Sequence, residues 1–178
     1  MTLDSPKIYS LLMVVLYLTV VVVLLLVAYT CISAAPWVPT RKFDVDSLLD
    51  DAGVNKGTNY IELGCGDGRL VKAAAKRGAN AIGYELNPVM WLIATVNNLG
   101  VKNTKIIFKD FWKVDLSKAD VVMAFILPRT IPRLDTKAKK ELGNKALLVS
   151  YIFPILGRKP LNSGKSWFVY SYAKKLKD

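Results

Sequence analysis

The sequence predicts an α/β fold in which a mainly parallel sheet has helices on both faces, preceded by one membrane-spanning helix. Short apolar segments alternate with helical segments, a pattern typical of parallel strands joined by crossover helices. A long uncharged run near the start predicts the membrane helix. The predicted strands are residues 59–63, 81–84, 105–108, 121–126, 146–152 and 167–172.

Glycine and proline delimit the predicted helices. Gly53 and Gly78 end the first two, and Gly100 ends the third. Pro88 stands at the first turn of that third helix, where a missing N–H costs nothing. The predicted helices cover residues 44–52, 69–77, 88–99 and 131–142.

Residues 8–32 contain no charged side chain. A helix needs about 20 apolar residues to cross the hydrocarbon, so this run predicts a lipid-embedded anchor. Ser33-Ala34-Ala35 resembles a signal-peptidase site. A signal peptide, however, has an apolar region of only about 7–15 residues and a basic flank, whereas Lys7 is the single basic residue here. We therefore expect an uncleaved anchor.

Charge predicts the orientation of this anchor. Asp4 and Lys7 cancel before the span, so the rest of the chain carries the net charge of +11. Arg41 and Lys42 follow the span closely, and positive residues there favour the cytoplasmic side. We expect a single-pass membrane protein with an anchor at 1–34, a linker and short helix at 35–58, and a cytoplasmic domain at 59–178.

Cysteine and histidine counts exclude several chemistries. The chain has no histidine, which rules out a Ser-His-Asp or Cys-His nucleophile system and a histidine base. Cys31 and Cys65 alone make no standard zinc site, so no metal is expected. Cys65 lies between loop glycines, where we expect a small spacer rather than a nucleophile.

The candidate site begins with the E-L-G-C-G-D-G-R motif of residues 62–69. An apolar strand enters a glycine-rich turn and continues into a helix, which lets the backbone approach a ligand closely. A dinucleotide site would require G-x-G-x-x-G, but Arg69 occupies the last glycine position. The spacing suits a smaller ligand with an amino acid on one side and a ribose on the other.

Acidic residues follow the next two strands. Glu85 ends the second strand, where a carboxylate can accept both ribose hydroxyls. Asp110 follows the third strand and can accept from the exocyclic amine of adenine, while Phe111 or Trp112 packs on the ring. Each acid alone would be read as a helix cap or a solvated group. Together with Glu62 they predict a binding site.

These motifs resemble one enzyme family. Residues 62–69, the G-Y-E-L-N-P of 83–88, the D-F-W-K-V of 110–114 and the W-V-P-T of 37–40 are similar to the mitochondrial inner-membrane lysine methyltransferases of the ATP synthase c-subunit and the adenine nucleotide translocase. They also resemble the broad-specificity archaeal protein lysine methyltransferase. The likeness runs from about residue 36 to residue 172.

The resemblance implies a Rossmann-like, seven-strand methyltransferase sheet with S-adenosylmethionine as methyl donor and a protein lysine as acceptor. Glu62, Gly64, Gly66 and Gly68 would line the methionine side, Glu85 would hold the ribose, and Asp110 with Phe111 would hold the adenine. Residues 156–166 are few, so we expect a reduced or missing sixth strand.

The acceptor side is less defined by the sequence. The F-I-L-P of 125–128 lacks the Asn/Asp-Pro-Pro-aromatic motif of enzymes that methylate bases or glutamine amides, which fits lysine but leaves no catalytic polar group. Trp37, Phe125 and Tyr151 are candidate walls of an apolar lysine channel, with ordinary core aromatics as the alternative. A membrane protein is the expected substrate and nucleic acid is disfavoured. Methylation of lipid or RNA, and a non-catalytic cofactor-binding protein, stay open.

Overall fold

A computed structural model of the protein describes residues 6–33 and 38–173. The helices are α1 (Pro6–Ser33), α2 (Val45–Asp51), α3 (Arg69–Lys76), α4 (Pro88–Asn97) and α5 (Ile131–Glu141). The strands are β1 (Asn59–Leu63), β2 (Asn80–Glu85), β3 (Thr104–Phe108), β4 (Val121–Ala124), β5 (Leu147–Tyr151), β6 (Asn162–Ser163) and β7 (Trp167–Ser171). Short 3-10 turns cover Lys42–Asp44, Phe111–Lys113 and Pro128–Thr130.

The strands form one seven-stranded sheet in the order β3-β2-β1-β4-β5-β7-β6. β1 to β5 run parallel where they pair, and β7 is antiparallel to both of its neighbours. Leu63 of β1 is in register with Tyr84 of β2 and Ala124 of β4, so the carboxyl ends of these strands meet at one edge. The predicted fold class is confirmed.

The sixth strand is reduced, as the short segment before β7 predicts. β6 has two residues, Asn162 and Ser163, which pair with Val169 and Phe168. Gly164 then turns the chain directly against the Trp167 ring, where an added Cβ would lie 2.1 Å from a ring carbon. Beyond β7 the sheet therefore ends in a strand of only two residues.

Apolar side chains cover both faces of the sheet. Alternate residues of each strand point to opposite faces, so one core contains Ile61, Val122 and Leu148. α5 covers this core through Leu134 and Ala138. The opposite core contains Tyr60, Met123, Val149 and the buried residues of α2 and α3, including Leu48, Leu49, Leu70 and Val71.

β4 is shorter than its apolar sequence predicts. It ends at Ala124 rather than at residue 126. Ile126 is buried and Phe125 packs on neighbouring aromatic rings, but neither pairs with a strand. The chain leaves the sheet towards Pro128, which begins a 3-10 turn. Apolar residues that pack without pairing look the same as strand residues in a sequence.

α1 is a long, apolar helix. Within the described residues it is the single helix that is long and apolar enough to cross a membrane, with a candidate span at Ile8–Leu26. Residues 8–20 are exposed. The division of the chain at 34 and 58 stays a prediction, and α2 packs onto the sheet through Leu48 and Leu49.

Candidate cofactor and substrate site

A glycine turn follows β1 at the edge where the strand ends meet. Gly64, Gly66 and Gly68 have φ angles of 77°, 55° and 74°, in the left-handed region. The N–H groups of Gly64 and Cys65 both donate to the carbonyl of Tyr84 on β2, at 2.9 and 3.0 Å. The turn is therefore attached to the neighbouring strand.

Gly68 leaves no room for a side chain. A Cβ built there would lie 2.5 Å from Asn98 Nδ2 and 3.1 Å from the Ala94 Cβ. Asn98 Nδ2 donates to the Gly68 carbonyl at 3.2 Å, and Asn97 Nδ2 donates to the Asp67 carbonyl at 2.9 Å. The end of α4 therefore holds the glycine turn in place.

Glu62 carries a buried oxygen with no partner. The residue is 7% exposed, and its Oε2 has no hydrogen-bond partner among the described residues. Burial raises the pKa of Glu62 well above its ordinary value, and repulsion from Asp67 and Glu85 adds to the shift, while the Val71 N–H opposes it. A buried acceptor without a donor marks the place where a ligand donor would be stabilised.

Glu85 is held by backbone amides. Its Oε2 accepts from the Gly66 N–H at 2.9 Å, and its Oε1 accepts from the N–H groups of Leu86 and Asn87 at 2.8 Å each. A carboxylate offers about four acceptor sites. Room for one further donor is left, so an incoming diol would have to displace a backbone donor to bond through both hydroxyls.

Asp110 and two aromatic rings lie at the end of β3. Asp110 Oδ1 accepts from the Trp112 N–H at 3.0 Å, which caps the following 3-10 turn. Phe111 is buried beside Gly64, and its ring centroid is 4.8 Å from that of Trp112. The Arg133 guanidinium lies 4.1 Å from the Trp112 ring centroid. Asp110 Oδ2 stays outside this capping bond.

One contact at the site has no signature in the sequence. Arg69 forms a bidentate pair with Asp67, with Nη2–Oδ2 at 2.6 Å and Nε–Oδ1 at 3.0 Å. Arg69 Nη1 also donates to the Thr40 carbonyl at 3.1 Å. The segment after α1 is thus fixed to the glycine turn. The Asp67–Arg69 pair joins residues two apart in the chain, whereas nothing in the sequence indicates the bond from Arg69 to Thr40.

Two of the predicted channel walls lie together. Phe125 and Tyr151 form an edge-to-face pair with ring centroids 5.1 Å apart, and Phe153 lies 6.4 Å from Phe125. The Tyr151 hydroxyl donates to Asp44 Oδ2 at 2.5 Å and accepts from the Arg41 N–H at 3.3 Å. Burial, and then the bond to Asp44, raise the pKa of Tyr151.

Trp37, the third predicted wall, lies outside the described residues. Tyr151 itself is 1% exposed, so its ring packs in the core and only Phe125 and Phe153 have partly exposed surface here. This burial agrees with the core-aromatic alternative for Tyr151. The channel interpretation then rests on Phe125, which the sequence indicated, and on Phe153, which it did not.

An open groove adjoins the aromatic cluster. It has a volume of about 390 Å³ and is walled by Pro128, Ile131, Pro132, Thr136, Phe153, Pro154, Ile155 and Leu156, with Asp135 as its acid. Asp135 pairs with Arg158 and Lys139 and accepts from the Tyr172 hydroxyl. The groove is therefore apolar, with a neutralised carboxylate at one side.

Cys65 is buried, and burial raises the pKa of its thiol far above the ordinary value. It is therefore a thiol at neutral pH, which agrees with a spacer role, because the thiolate is the nucleophilic form. An added Cβ at Gly83 would lie 2.7 Å from its Sγ, so Cys65 fills the space beside β2. Among the described residues no group of histidine, cysteine and acidic side chains could hold a metal ion.

The sheet order, the glycine turn and the acidic strand ends define the methyltransferase fold. A Salinibacter ruber RNA methyltransferase solved with S-adenosyl-L-homocysteine is similar, with a TM-score of 0.74, 26% identity and coverage of 79% of this chain and 97% of that one. A Thiobacillus denitrificans SAM-dependent methyltransferase matches in fold, with a TM-score of 0.56, 19% identity and coverage of 64% and 49%.

Residues 62–162 match the family model described as the ANTKMT methyltransferase domain, and the chain belongs to this family. A Saccharolobus islandicus protein-lysine N-methyltransferase is 36% identical over 70% of this chain and 81% of its own length. The Xenopus laevis lysine N-methyltransferase of the ATP synthase c-subunit is 36% identical over 67% of this chain and 54% of its own length. The chain thus spans about half of that relative, and the resemblance seen in the sequence is confirmed.

Proposed function

We propose that the chain is a membrane-anchored methyltransferase that uses S-adenosylmethionine to methylate lysine side chains of proteins, with membrane proteins as favoured substrates. The observation that carries the proposal is membership of a family whose similar members are named lysine N-methyltransferases. The geometry of the strand-end site supports the cofactor.

The residues at the strand ends fit this cofactor. The unpartnered Glu62 Oε2 is a buried acceptor for the amino group of the methionine part. The left-handed turn from Gly64 to Gly68 exposes backbone instead of side chains. Glu85 has acceptor capacity left for a ribose hydroxyl, and Asp110 Oδ2 has capacity for the adenine amine. The similar Salinibacter ruber structure holds the demethylated product, S-adenosyl-L-homocysteine.

S-adenosylmethionine supplies a methyl group bonded to a positively charged sulfur. The chain's own task is to hold a neutral amine in line with that group, because positioning alone can supply much of the rate enhancement. A free lysine has a pKa of about 10.4, and apolar surroundings lower it by disfavouring the ammonium. Phe125 and Phe153 provide such surroundings at the ends of β4 and β5.

The groove beside these rings is the proposed path of the acceptor segment. Its apolar walls continue from Phe153 to Leu156, which is 89% exposed. Asp135 is already paired with Arg158 and Lys139, so it does not hold the lysine in its charged form. Apolar residues beside the target lysine are therefore the expected specificity determinant.

α1 supports the membrane part of the proposal. It is long and apolar enough to span a bilayer, and the positive residues after it favour a cytoplasmic domain. A short tether to the membrane raises the effective concentration of lysines at the bilayer surface, to about the mM scale for a flexible link.

The test is methyl transfer by the full chain in lipid vesicles to host membranes and RNA, with radiolabelled donor. We expect the label in protein lysines. Label in lipid or RNA would replace the proposed acceptor, and the RNA arm matters because of the Salinibacter ruber RNA methyltransferase. A Glu85→Ala chain is the control with weakened cofactor binding. Asp46→Asn, which changes an exposed carboxyl of α2 that pairs with Arg77, is the matched control with normal activity.

A further inference from the structure

The helix α4 is apolar on two opposite sides. Its contact with the fold uses Met90, Ala94 and Asn98, which are buried at a spacing of four residues. Val89, Leu92, Ile93 and Val96 are 48%, 56%, 40% and 56% exposed on the other side. These four positions follow the i, i+3, i+4, i+7 spacing that normally faces a core. A surface helix would have polar residues there.

The exposed side continues into neighbouring elements. Leu99 is 70% exposed just beyond α4, and Phe108 of β3 is 45% exposed with its ring 5.8 Å from that of Trp91. We call this surface the α4 face; it comprises Val89, Leu92, Ile93, Val96, Leu99 and Phe108. Exposed apolar surfaces of this continuity mark interaction sites on soluble domains.

Lysines lie beside the α4 face. Lys102 is exposed on the turn that follows α4. Lys105 alternates with Ile106, which packs on the α4 side of the sheet, so Lys105 points to the other side. Lys72 Nζ donates to the Asn97 carbonyl at 2.7 Å, which places a further ammonium at the end of the helix. No acidic residue occurs in residues 86–109. An apolar strip bordered by lysines is the composition of a helix that lies in an anionic membrane interface.

α1 places the same face near a bilayer. α1 contacts α4. The half-buried side chains of α1 include Val21, Val23 and Leu26, whereas residues 8–20 are all exposed. The contact thus lies towards the carboxyl end of the candidate span, the end that emerges on the side of the domain. α4 accordingly lies beside the level where α1 leaves the hydrocarbon.

We propose that the α4 face inserts into the headgroup–acyl boundary of an anionic bilayer, as a second membrane contact beside α1. The inference rests on the proposed membrane insertion of α1. Two contacts fix the orientation of the domain, whereas one helix and a linker leave it free to rotate. Because α4 begins at Pro88, shortly after Glu85 at the end of β2, this orientation holds the cofactor edge close to the membrane surface.

A second copy of the chain fits the α4 face less well. A two-fold interface would bring this region, which is basic and has no acidic residue between 86 and 109, against an equally basic copy of itself. Lipid phosphates and carboxylates instead neutralise its positive charge, at about 1 kcal/mol for each suitably placed lysine. Charge therefore favours the anionic bilayer as the occupant.

Depth-dependent fluorescence quenching tests the proposal. The full chain carries a Cys31→Ser change and a fluorescent label on Val96→Cys, and the buried Cys65 is left in place. Phosphatidylcholine vesicles with phosphatidylglycerol contain a lipid with a nitroxide near the top of its acyl chain. We expect this lipid to quench the Val96 label at least about threefold more than a label on Lys140→Cys of α5, since an interfacial helix lies about 5–10 Å deep.

Three outcomes would overturn the proposal. The first is equal quenching at both positions. The second is quenching that does not decrease when phosphatidylglycerol is left out. The third is a label at Val96 that becomes shielded only as the protein-to-lipid ratio rises, which indicates a second copy. A Lys72→Cys label, at the border of the face, should give an intermediate value.

Two readouts in the same vesicles separate this proposal from the proposed function. Resistance to carbonate extraction reports the insertion of α1, and methyl transfer to a soluble lysine peptide reports activity. An inserted, active chain with an unquenched Val96 label rejects only the α4 contact. A quenched label on a chain that transfers no methyl group rejects the enzyme but keeps the contact.

Discussion

Replacing Glu62 by glutamine should have opposite effects on the empty protein and on ligand binding. Glu62→Gln keeps the shape of the side chain and removes the charge. The carboxylate is buried with Oε2 unpartnered, so its ionised form is destabilised and its pKa is raised above the ordinary 4.5. Glutamine avoids that penalty in the empty site but loses the charge that attracts an ammonium donor.

The sign of the pH dependence follows from the raised pKa. A carboxyl with a raised folded-state pKa stabilises the fold while it is protonated, and this contribution is lost as the pH rises through that pKa. The free energy of unfolding of the wild type should therefore fall relative to Glu62→Gln as the pH increases. The gap grows by about 1.4 kcal/mol for each unit of the shift.

The loss of the Glu62 charge should also weaken the binding of S-adenosylmethionine. A hydrogen bond to a charged group contributes about 1.5–3 kcal/mol, so Glu62→Gln should bind S-adenosylmethionine about 10- to 150-fold more weakly. If Glu62 is protonated in the empty site, binding to the wild type releases a proton, and the variant releases none. Calorimetry in two buffers with different ionisation enthalpies measures this release.

The full chain in nanodiscs is unfolded with urea, and tryptophan fluorescence monitors the unfolding. Asp46→Asn is the control for the loss of one exposed negative charge. A gap in unfolding free energy that is independent of pH would refute the assignment of a costly buried carboxylate. Unchanged affinity for the cofactor would refute the role of Glu62 in binding it.

Four further changes have defined outcomes. Glu85→Ala should weaken S-adenosylmethionine binding by about 1–3 kcal/mol in calorimetry, with a stability loss of similar size because the buried Gly66 N–H loses its acceptor; equal affinity would remove the ribose role. Tyr151→Phe leaves the buried Asp44 without its hydroxyl donor and should lower the free energy of unfolding by about 1–3 kcal/mol, while a stability equal to wild type would show that water replaces it. Gly68→Ala should lower stability and cofactor affinity together, whereas Gly143→Ala, with open space around it, is the control. A chain without residues 1–34 should methylate membrane-protein lysines more slowly in cells and a soluble lysine peptide at the same rate; equal rates on both would show that the anchor does not select the substrate.

The sheet was predictable because each strand is marked by its own local pattern. Buried parallel strands need continuous apolar runs, and glycine or proline must end the elements between them. The sequence therefore indicates β1 to β5, β7 and the reduced β6. It failed at Phe125 and Ile126, because their burial comes from packing beyond the end of β4 and not from pairing.

The site was predictable only in part, because its residues differ in how they are held. Glu62, Glu85 and Asp110 stand at strand ends, and strand ends share one edge, so their proximity follows from the fold. The bonds of Thr40 to Arg69 and of Asp44 to Tyr151 join residues far apart in the chain. Such contacts depend on the path of the segment over the sheet, and that path has no periodic signal.

The Thr40–Arg69 and Asp44–Tyr151 bonds determine where the chain can be joined to a different N-terminal segment. The chain becomes part of the folded enzyme at Thr40, through Arg69, and at Asp44, through Tyr151. A fusion joined before Val38 would keep both attachments, whichever segment stands before it. A fusion joined at Asn59 would remove the segment that rests on the glycine turn. Any exchange of the residues before Val38 therefore has to keep the stretch from Thr40 to Asp44 together with the methyltransferase domain.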